Sequence, residues 1–315
     1  MADQQRKLEQ AARAAWLAHV GGLTQDEIAT RLGVSRQSAQ RLVAQAMSEG
    51  LVKIRIDHPF ADCMQIARDL SERWNLSFCE IAPADAPADG VAHHLAAVME
   101  QWLRRADPLT IAIGTGRTLR SAIARLPHID CPDHRIVSLT GNIATDGSTA
   151  AYNVLFSLSD LVTARSFPLP VSVILPEGDT RTALLAQQGI ARVIAMSAEA
   201  EVAFVGVGRM DESAALLADG FIDANDLAAL RKAGGEGEIL GWAYDKDGQL
   251  IEGLSNDRVA SAPIPPRETA LVIAAAHGQA KLPAIRAALR GGLINGLVTD
   301  AATGAALLGQ DRAAG

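Results

Sequence analysis

Apolar positions recur at helical spacing over the first fifty residues, and strand and helix patterns alternate through most of the rest. Ala11 to Val20 is expected to be a helix with Ala12, Trp16 and Val20 on one face, stopped by Gly21-Gly22. Thr24-Gln-Asp-Glu27 then has the form of a capping box, in which a threonine hydroxyl and a glutamate each satisfy a free backbone N–H. Ile28, Ala29 and Leu32 follow on one helical face, Gly33 ends that helix, and Ser35 is placed to cap the next. Ala39, Leu42, Val43 and Ala46 form its inward stripe, so the pattern predicts helix, tight turn, helix. Val52 to Ile56 alternates apolar and basic residues as a short strand or wing would, and His58-Pro59 breaks the chain. Ala61 to Trp74 reads as a helix joining two domains, and Pro83 to Gly90 as a loop by composition.

Beyond that point strands and helices alternate, which predicts an α/β domain with a mostly parallel sheet covered on both faces. Its opening stretch, Leu109 to Ile123, reads as a buried strand through Ile111 and Ile113, a turn at Gly114 and Gly116, and a helix start from Leu119. Free N–H groups at a helix start favour an anion. Thr115, Arg117 and Thr118 add two hydroxyls and a guanidinium suited to phosphate oxygens, although a plain strand-to-helix turn would carry the same pattern. The loop is neither the dinucleotide fingerprint, since Leu119 stands at its third glycine, nor a Walker A loop.

Further strands are expected at Arg135 to Leu139, Val171 to Leu175, Val202 to Val207, Leu271 to Ala275 and Gly296 to Thr299. Ligands of open α/β sheets lie beyond the carboxyl ends of the strands. The strand ends here carry Gly141-Asn142, then Gly206 to Asp211, His277 to Lys281, and Thr299-Asp300. These ends and the 114–118 loop converge on one crevice if the sheet is arranged this way.

Composition narrows the class. The 315 residues have room for about two domains, and 49% hydrophobic residues suffice for a sizeable core. The longest apolar runs fall far short of the roughly 20 residues a membrane span needs. The first residues lack the apolar core of a secretory signal. Cys63, Cys79 and Cys131 are odd in number and share no metal-ligand spacing, so neither a disulfide framework nor a zinc site is expected, and a reducing cytoplasm fits best. Residues 1–57 hold eight Lys or Arg against six Asp or Glu, a net of +2, which leaves −9 for the remainder of a chain whose total is −7. An acidic body repels DNA phosphates, so nucleic-acid contact belongs to the N-terminal segment. There Arg36, Gln37, Gln40 and Arg41 occupy the exposed start of the last helix, and Arg and Gln make bidentate contacts with guanine and adenine edges. With the caps Thr24 and Ser35 they are the expected DNA-binding residues; a three-helix cap with a solvated polar face is the alternative.

Other features carry less. Asp245-Lys-Asp-Gly248 resembles part of a calcium loop, but aligning Gly248 with the sixth position leaves Ala243 first and Leu254 twelfth, and a hairpin turn fits better. His93-His94 sit on different faces of a helical stretch, against metal binding. Lys281 suits a charged effector contact or the start of a solvated helix, with a Schiff-base amine, if buried, as the alternative.

Taken in order, Gly22 to Arg36, Ile113-Gly-Thr-Gly-Arg-Thr-Leu119, Ala203 to Gly208, Ala276-His-Gly-Gln-Ala-Lys281 and Arg290 to Asp300 resemble the SorC/DeoR-type sugar-binding transcriptional regulators over nearly the whole chain. The resemblance implies a helix-turn-helix domain over 1–57. It implies an effector-binding and oligomerisation domain over 58–315, Rossmann-like and related to sugar-phosphate isomerases and deaminases. It also implies a phosphorylated sugar or polyol that modulates operator DNA binding in carbohydrate or polyol catabolism, a homotetramer or homodimer, and no cofactor. Carried onto this chain, Gly114, Thr115, Gly116, Arg117 and Thr118 would hold the phosphate. Gly141, Asn142, Asp211 and Lys281 would line the sugar end, with Thr299 and Asp300 shaping the pocket. Two departures stand out: Ala39-Gln40 replaces a favoured valine-serine pair, and Gly234-Gly-Glu-Gly-Glu238 replaces an alanine-valine-glycine-aspartate pattern, which places Glu238 where it can select hydroxyls. A sugar-phosphate isomerase or deaminase is the alternative, with Asp211, Glu238, His277 or Asp300 as base, but no close acid–base constellation is visible and an enzyme has no evident use for residues 22–43.

Overall fold

The computed structural model describes residues 2–52, 59–83, 89–143, 154–176 and 180–309. They form two compact units, Met1–His58 and Pro59–Gly315.

The first unit holds α1 (Ala2–His19), α2 (Gln25–Leu32) and α3 (Arg36–Ser48). Ala14, Leu17, Ile28, Ala29 and Ala39 make its core, with Leu42 and Val43 packed against it. Small alanines at the crossings let the helices approach closely. Both ends of the turn are fixed by local chemistry. The Glu27 N–H donates to Thr24 Oγ1 while the Thr24 N–H donates back to the Glu27 carboxylate at 2.8 Å. Gly33 then takes φ 65°, a left-handed conformation that costs glycine no Cβ clash. The Ser38 N–H donates to Ser35 Oγ, which starts α3. One expectation is corrected: α1 packs through Ala11, Ala14, Ala15 and Leu17, so the Ala12, Trp16 and Val20 face is the outward one, with Trp16 59% and Val20 68% exposed. Small residues fit the crossing with α3 where a tryptophan would not. The expected strand Val52 to Ile56 and the His58 break lie outside the described residues, apart from Val52.

In the second unit the described strands β1 (Phe78–Ala82), β2 (Thr110–Ile113), β3 (Arg135–Ile143), β4 (Arg165–Ser172), β5 (Val202–Gly206), β9 (Leu271–Ala275) and β10 (Gly296–Asp300) form one sheet in the order β1-β10-β9-β5-β2-β3-β4. Every pairing in it is parallel. Between β5 and β9 a second, antiparallel sheet of β6 (Gly208–Arg209), β7 (Gly235–Ile239) and β8 (Trp242–Asp245) is inserted. Strand alternation assigns side chains to the two faces. Val202 and Phe204 of β5 join the core under α5 (Gly90–Leu103), α6 (Arg117–Ile123) and α7 (Val154–Ser159). Ala203 and Val205 join the core beneath α4 (Pro59–Trp74), α12 (Leu282–Arg290) and α13 (Ala301–Gly309). Beside these, α8 (Arg181–Leu185) and α9 (Gln188–Ala198) join Val137, Leu169 and Val171 of β3 and β4 in a further apolar cluster.

Several boundaries differ from the sequence pattern. The helix over 61–74 belongs to the second unit, where it packs on β1 and α13. β1 escaped the pattern because it is an edge strand of five residues interrupted by Cys79-Glu80. β4 ends at Ser172 instead of running from Val171 to Leu175. Its Pro168 and Pro170 are tolerated because β4 is the opposite edge of the sheet, where a missing N–H breaks no ladder on the outer side. Of the 83–90 loop, residues 84–88 lie outside the described residues and Gly90 already starts α5. Asp245 to Gly248 is a turn, the Gly248 N–H donating to Asp245 O and the Asp245 N–H to Gln249 O. No described helix is long and apolar enough to cross a membrane.

Candidate functional site

Successive crossovers run from β2 outward through β3 and β4, and then β5 returns to the other side of β2. The strand order therefore reverses between β2 and β5, and the loops leaving these two strands part in opposite directions. Such a switch point opens a crevice at the carboxyl ends. Here it is a cavity of about 470 Å³ between the 115–119 loop and α6 start, the 206–209 strand end, the 213–221 segment and the β7–β8 hairpin.

Its floor is apolar, from Val173, Leu216, Phe221 and Leu240, and its charges are Arg117, Arg209 and Lys281 against Asp219 and Glu238. Leu240 takes φ 58°, unusual for a residue with a Cβ. The tight β7–β8 hairpin imposes it and sends the side chain toward Gly114, where an added Cβ would lie 2.8 Å from Leu240 Cδ2. Glu238 on β7 sits opposite Gly208 on β6, and a Cβ at Gly208 would fall 1.9 Å from Glu238 Oε1. Only glycine at 208 leaves room for that carboxylate. The Gly241 N–H donates to its Oε2 at 2.8 Å. Burial pushes the Glu238 pKa above its ordinary value, opposed by that hydrogen bond and by Lys281. Lys281 Nζ donates to Val207 O at 2.8 Å. Burial lowers the Lys281 pKa, Glu238 acts in the opposite direction, and Arg209 and Arg117 add to the lowering. Asp219 is raised by burial while Arg117 draws it down. The cavity thus combines excess positive charge with carboxylates that accept hydrogen bonds from hydroxyl groups.

Of the residues expected at the effector, Thr115, Gly116, Arg117, Thr118, Gly141, Glu238 and Lys281 line this cavity. Gly114, Asn142, Asp211, Thr299 and Asp300 are not among the lining residues. Gly114 lies behind Leu240. Asn142 follows Gly141 on β3 where the pairing with β4 is interrupted. Asp211 pairs with Arg209 at 3.2 Å and accepts the Ser213 N–H, so it shapes the loop that presents Arg209. Thr299 and Asp300 end β10, separated from β5 by β9; Thr299 is buried, and Asp300 accepts the Thr303 N–H at 2.6 Å and faces His277 Nδ1 at 3.4 Å. The sequence pattern did not single out Arg209 and Asp219. Arg209 lies in the same strand-end motif as Asp211, and its charge was the available signal. Asp219 stands in a segment without strand or glycine-loop pattern, so nothing in the sequence marked it. Among the described residues no group of three or more His, Cys, Asp or Glu could hold a metal ion.

In the first unit, Ser35, Arg36, Gln37, Gln40 and Arg41 are all exposed at the start of α3. Thr24 is exposed as well, but its hydroxyl is engaged in the capping box. Arg36 meets Asp26 of α2 at 3.5 Å with both side chains about 70% exposed, a pair too weakly held in water to keep the guanidinium from another anion. Exposed Arg and Gln side chains at a helix start, supported from behind by α1 and α2, have the form of a major-groove reader.

Comparison with known proteins agrees with both halves. Residues 58–309 match the family model described as "Putative sugar-binding domain", and residues 8–59 match the MarR family. The chain is 34% identical over 98% of its length to the erythritol catabolism regulatory protein EryD of Brucella abortus (strain 2308), covering 99% of that protein. It is 28% identical to the transcriptional regulator LsrR of Escherichia coli (strain K12), over 95% of this chain and 94% of the relative. Among solved structures, the full-length sorbitol operon regulator SorC from Klebsiella pneumoniae superposes with a TM-score of 0.70 at 22% identity, over 95% of this chain and 97% of the other, which shows the shared fold.

Proposed function

Because the chain belongs to the SorC/DeoR-type family of sugar-binding transcriptional regulators, we propose that it binds operator DNA through Thr24, Ser35, Arg36, Gln37, Gln40 and Arg41, and that a phosphorylated sugar or polyol in the 115–119 cavity tunes that binding. The relatives named above are regulators, which decides against the isomerase or deaminase alternative. The observation that carries the effector reading is the convergence of Arg117, Arg209 and Lys281 with Asp219 and Glu238 in one cavity. A phosphoryl group brings about −1.5 to −2 charge and three strong acceptors, which suits the cations and the Thr115 and Thr118 hydroxyls. Carboxylates pair with hydroxyl donors, so Glu238 suits the polyol portion. Thr299 and Asp300 are assigned a supporting role behind the pocket, and Asp211 a role through Arg209.

The relative's name directs attention to four-carbon polyols and their phosphates. A ligand moves DNA affinity only by the difference in its affinity for the DNA-competent and incompetent arrangements. That coupling runs through a homodimer or homotetramer in this proposal, in the cytoplasm. The test is fluorescence anisotropy on DNA from upstream of the protein's own gene, at physiological salt, with a panel of sugars, polyols and their phosphates. Sequence-selective binding shifted by one phosphorylated compound is the expected result, lost when Thr115 and Arg117 are replaced by alanine. A shift produced equally by the unphosphorylated compound would remove the phosphate assignment.

A further inference from the structure

Asp219 stands apart from the cavity's other charges because of the wall that carries it. The 213–221 segment contributes Ser213, Ala215, Leu216, Ala218, Asp219 and Phe221 to the lining, one more than the 115–119 loop. Its short helix α10 (Ala215–Ala218) closes on itself: the Asp219 N–H donates to Ala215 O at 2.8 Å, the Gly220 N–H to Leu217 O at 3.1 Å, and the Phe221 N–H to Leu216 O at 2.8 Å. Ala214, Leu216 and Ile222 anchor it in a separate apolar cluster with Met210 and with Leu227 and Leu230 of α11 (Ala224–Lys232). The carboxylate is therefore delivered to the cavity by a hydrogen-bonded turn packed on α11 and on Val173 and Ile174 just beyond β4. Arg117 comes from the opposite wall, at the start of α6 on the sheet side. Two rigid elements thus bring opposite charges into one space, Arg117 being exposed there and Asp219 half-buried. Below them, Glu238 accepts the Gly241 N–H and Lys281 donates to Val207 O.

Resting on the effector reading above, we propose that Asp219 is a specificity-determining counter-charge: it balances Arg117 until the effector's anionic group displaces it. A carboxylate carries one negative charge, whereas a phosphate monoester carries nearly two and can engage the guanidinium and the Thr115 and Thr118 hydroxyls together. Asp219 thereby imposes a threshold. Anions that bring no further contacts are held off, and a phosphate ester whose hydroxyls also reach Glu238 and Lys281 clears it.

The probe is inorganic phosphate, which lacks the hydroxyl-bearing carbon chain, titrated calorimetrically into the full-length protein and into Asp219→Asn, Asp219→Glu and Arg117→Ala variants. Neutralising the counter-charge is expected to tighten phosphate binding at least about tenfold, equal to about 1.4 kcal/mol. Asp219→Glu, which retains the charge, is expected to stay near the parent protein, and Arg117→Ala to lose phosphate. Gained affinity is a readout that mere structural damage at 219 cannot produce. Phosphate affinity unchanged or weakened in Asp219→Asn, with Arg117→Ala still losing it, overturns the counter-charge and leaves the phosphate seat standing. Binding that survives in Arg117→Ala, or phosphate binding by none of the proteins, overturns the seat and this inference with it.

Discussion

Two glycines of the cavity illustrate how the same substitution can act on function or on fold. At Gly208 an added Cβ meets the end of the Glu238 side chain, which can swing away, whereas at Gly141 it would lie 2.0 Å from the Val171 backbone oxygen, which cannot. Gly208→Ala is therefore expected to evict the carboxylate and weaken effector binding at least about tenfold, or about 1.4 kcal/mol, with little change in urea stability. Gly141→Ala should instead destabilise the second unit by about 1–3 kcal/mol, the usual cost of overpacking, in the same unfolding experiment. Glu238 also predicts a pH dependence. Its folded pKa is raised above the ordinary 4.5, so the native state holds a proton that the unfolded chain has lost as pH rises beyond 4.5. The stability this gives is present at lower pH and is lost as pH rises through the raised value. Glu238→Gln should flatten that part of the stability–pH curve; a slope that survives the substitution assigns it to another group.

Among the elements, the α2–turn–α3 pair is where local chemistry carries most of the architecture. The Thr24–Glu27 capping box, the left-handed Gly33 and the Ser35 cap fix both helix ends within twelve residues of chain, and Ile28, Ala29 and Ala39 hold the packed faces. Removing the reciprocal cap with Thr24→Ala is expected to cost about 1 kcal/mol, seen as a lower melting temperature for the first unit. Operator affinity should fall with it, because α2 supports the start of α3 in this unit. A melt unchanged from the parent would show that packing alone sets the turn. In the second unit the β7–β8 hairpin has the corresponding place: it carries Glu238, bends at Leu240 and Gly241, and closes the floor against Gly114.

At the scale of the whole molecule, charge is divided as function requires. The +2 segment presents exposed Arg and Gln at the start of α3, and the −9 remainder encloses a locally cationic cavity. Arg36→Ala combined with Arg41→Ala is expected to abolish operator binding in anisotropy while calorimetric effector affinity stays within about twofold of the parent, since ΔΔG values at sites without shared partners add. Replacing either arginine singly should cost about 1–3 kcal/mol of operator affinity and relax specificity at the base pair it reads, measured on a panel of operator variants. Loss of effector binding in the double variant would count against separate modules.

Spacing along the chain was enough for the helix pair, the parallel α/β domain, the strands β2, β5, β9 and β10 nearly to the residue, and residues 115–118 of the loop at the cavity. These are encoded locally, in caps, glycines and the alternation of buried residues, which act within a few positions of chain. Which strand ends meet was settled only by packing in three dimensions. The order β10-β9-β5-β2-β3 puts the ends of β2 and β5 side by side and β10 two places from β5, so Thr299 and Asp300 fall away from the lining while Arg209 enters it. Packing also settled that an inserted segment far along the chain would supply Asp219, and that α1 would bury alanines and expose Trp16. A side chain's partners across space depend on strand order and on the volume left at each crossing, and neither quantity is written in the spacing of residues along the chain.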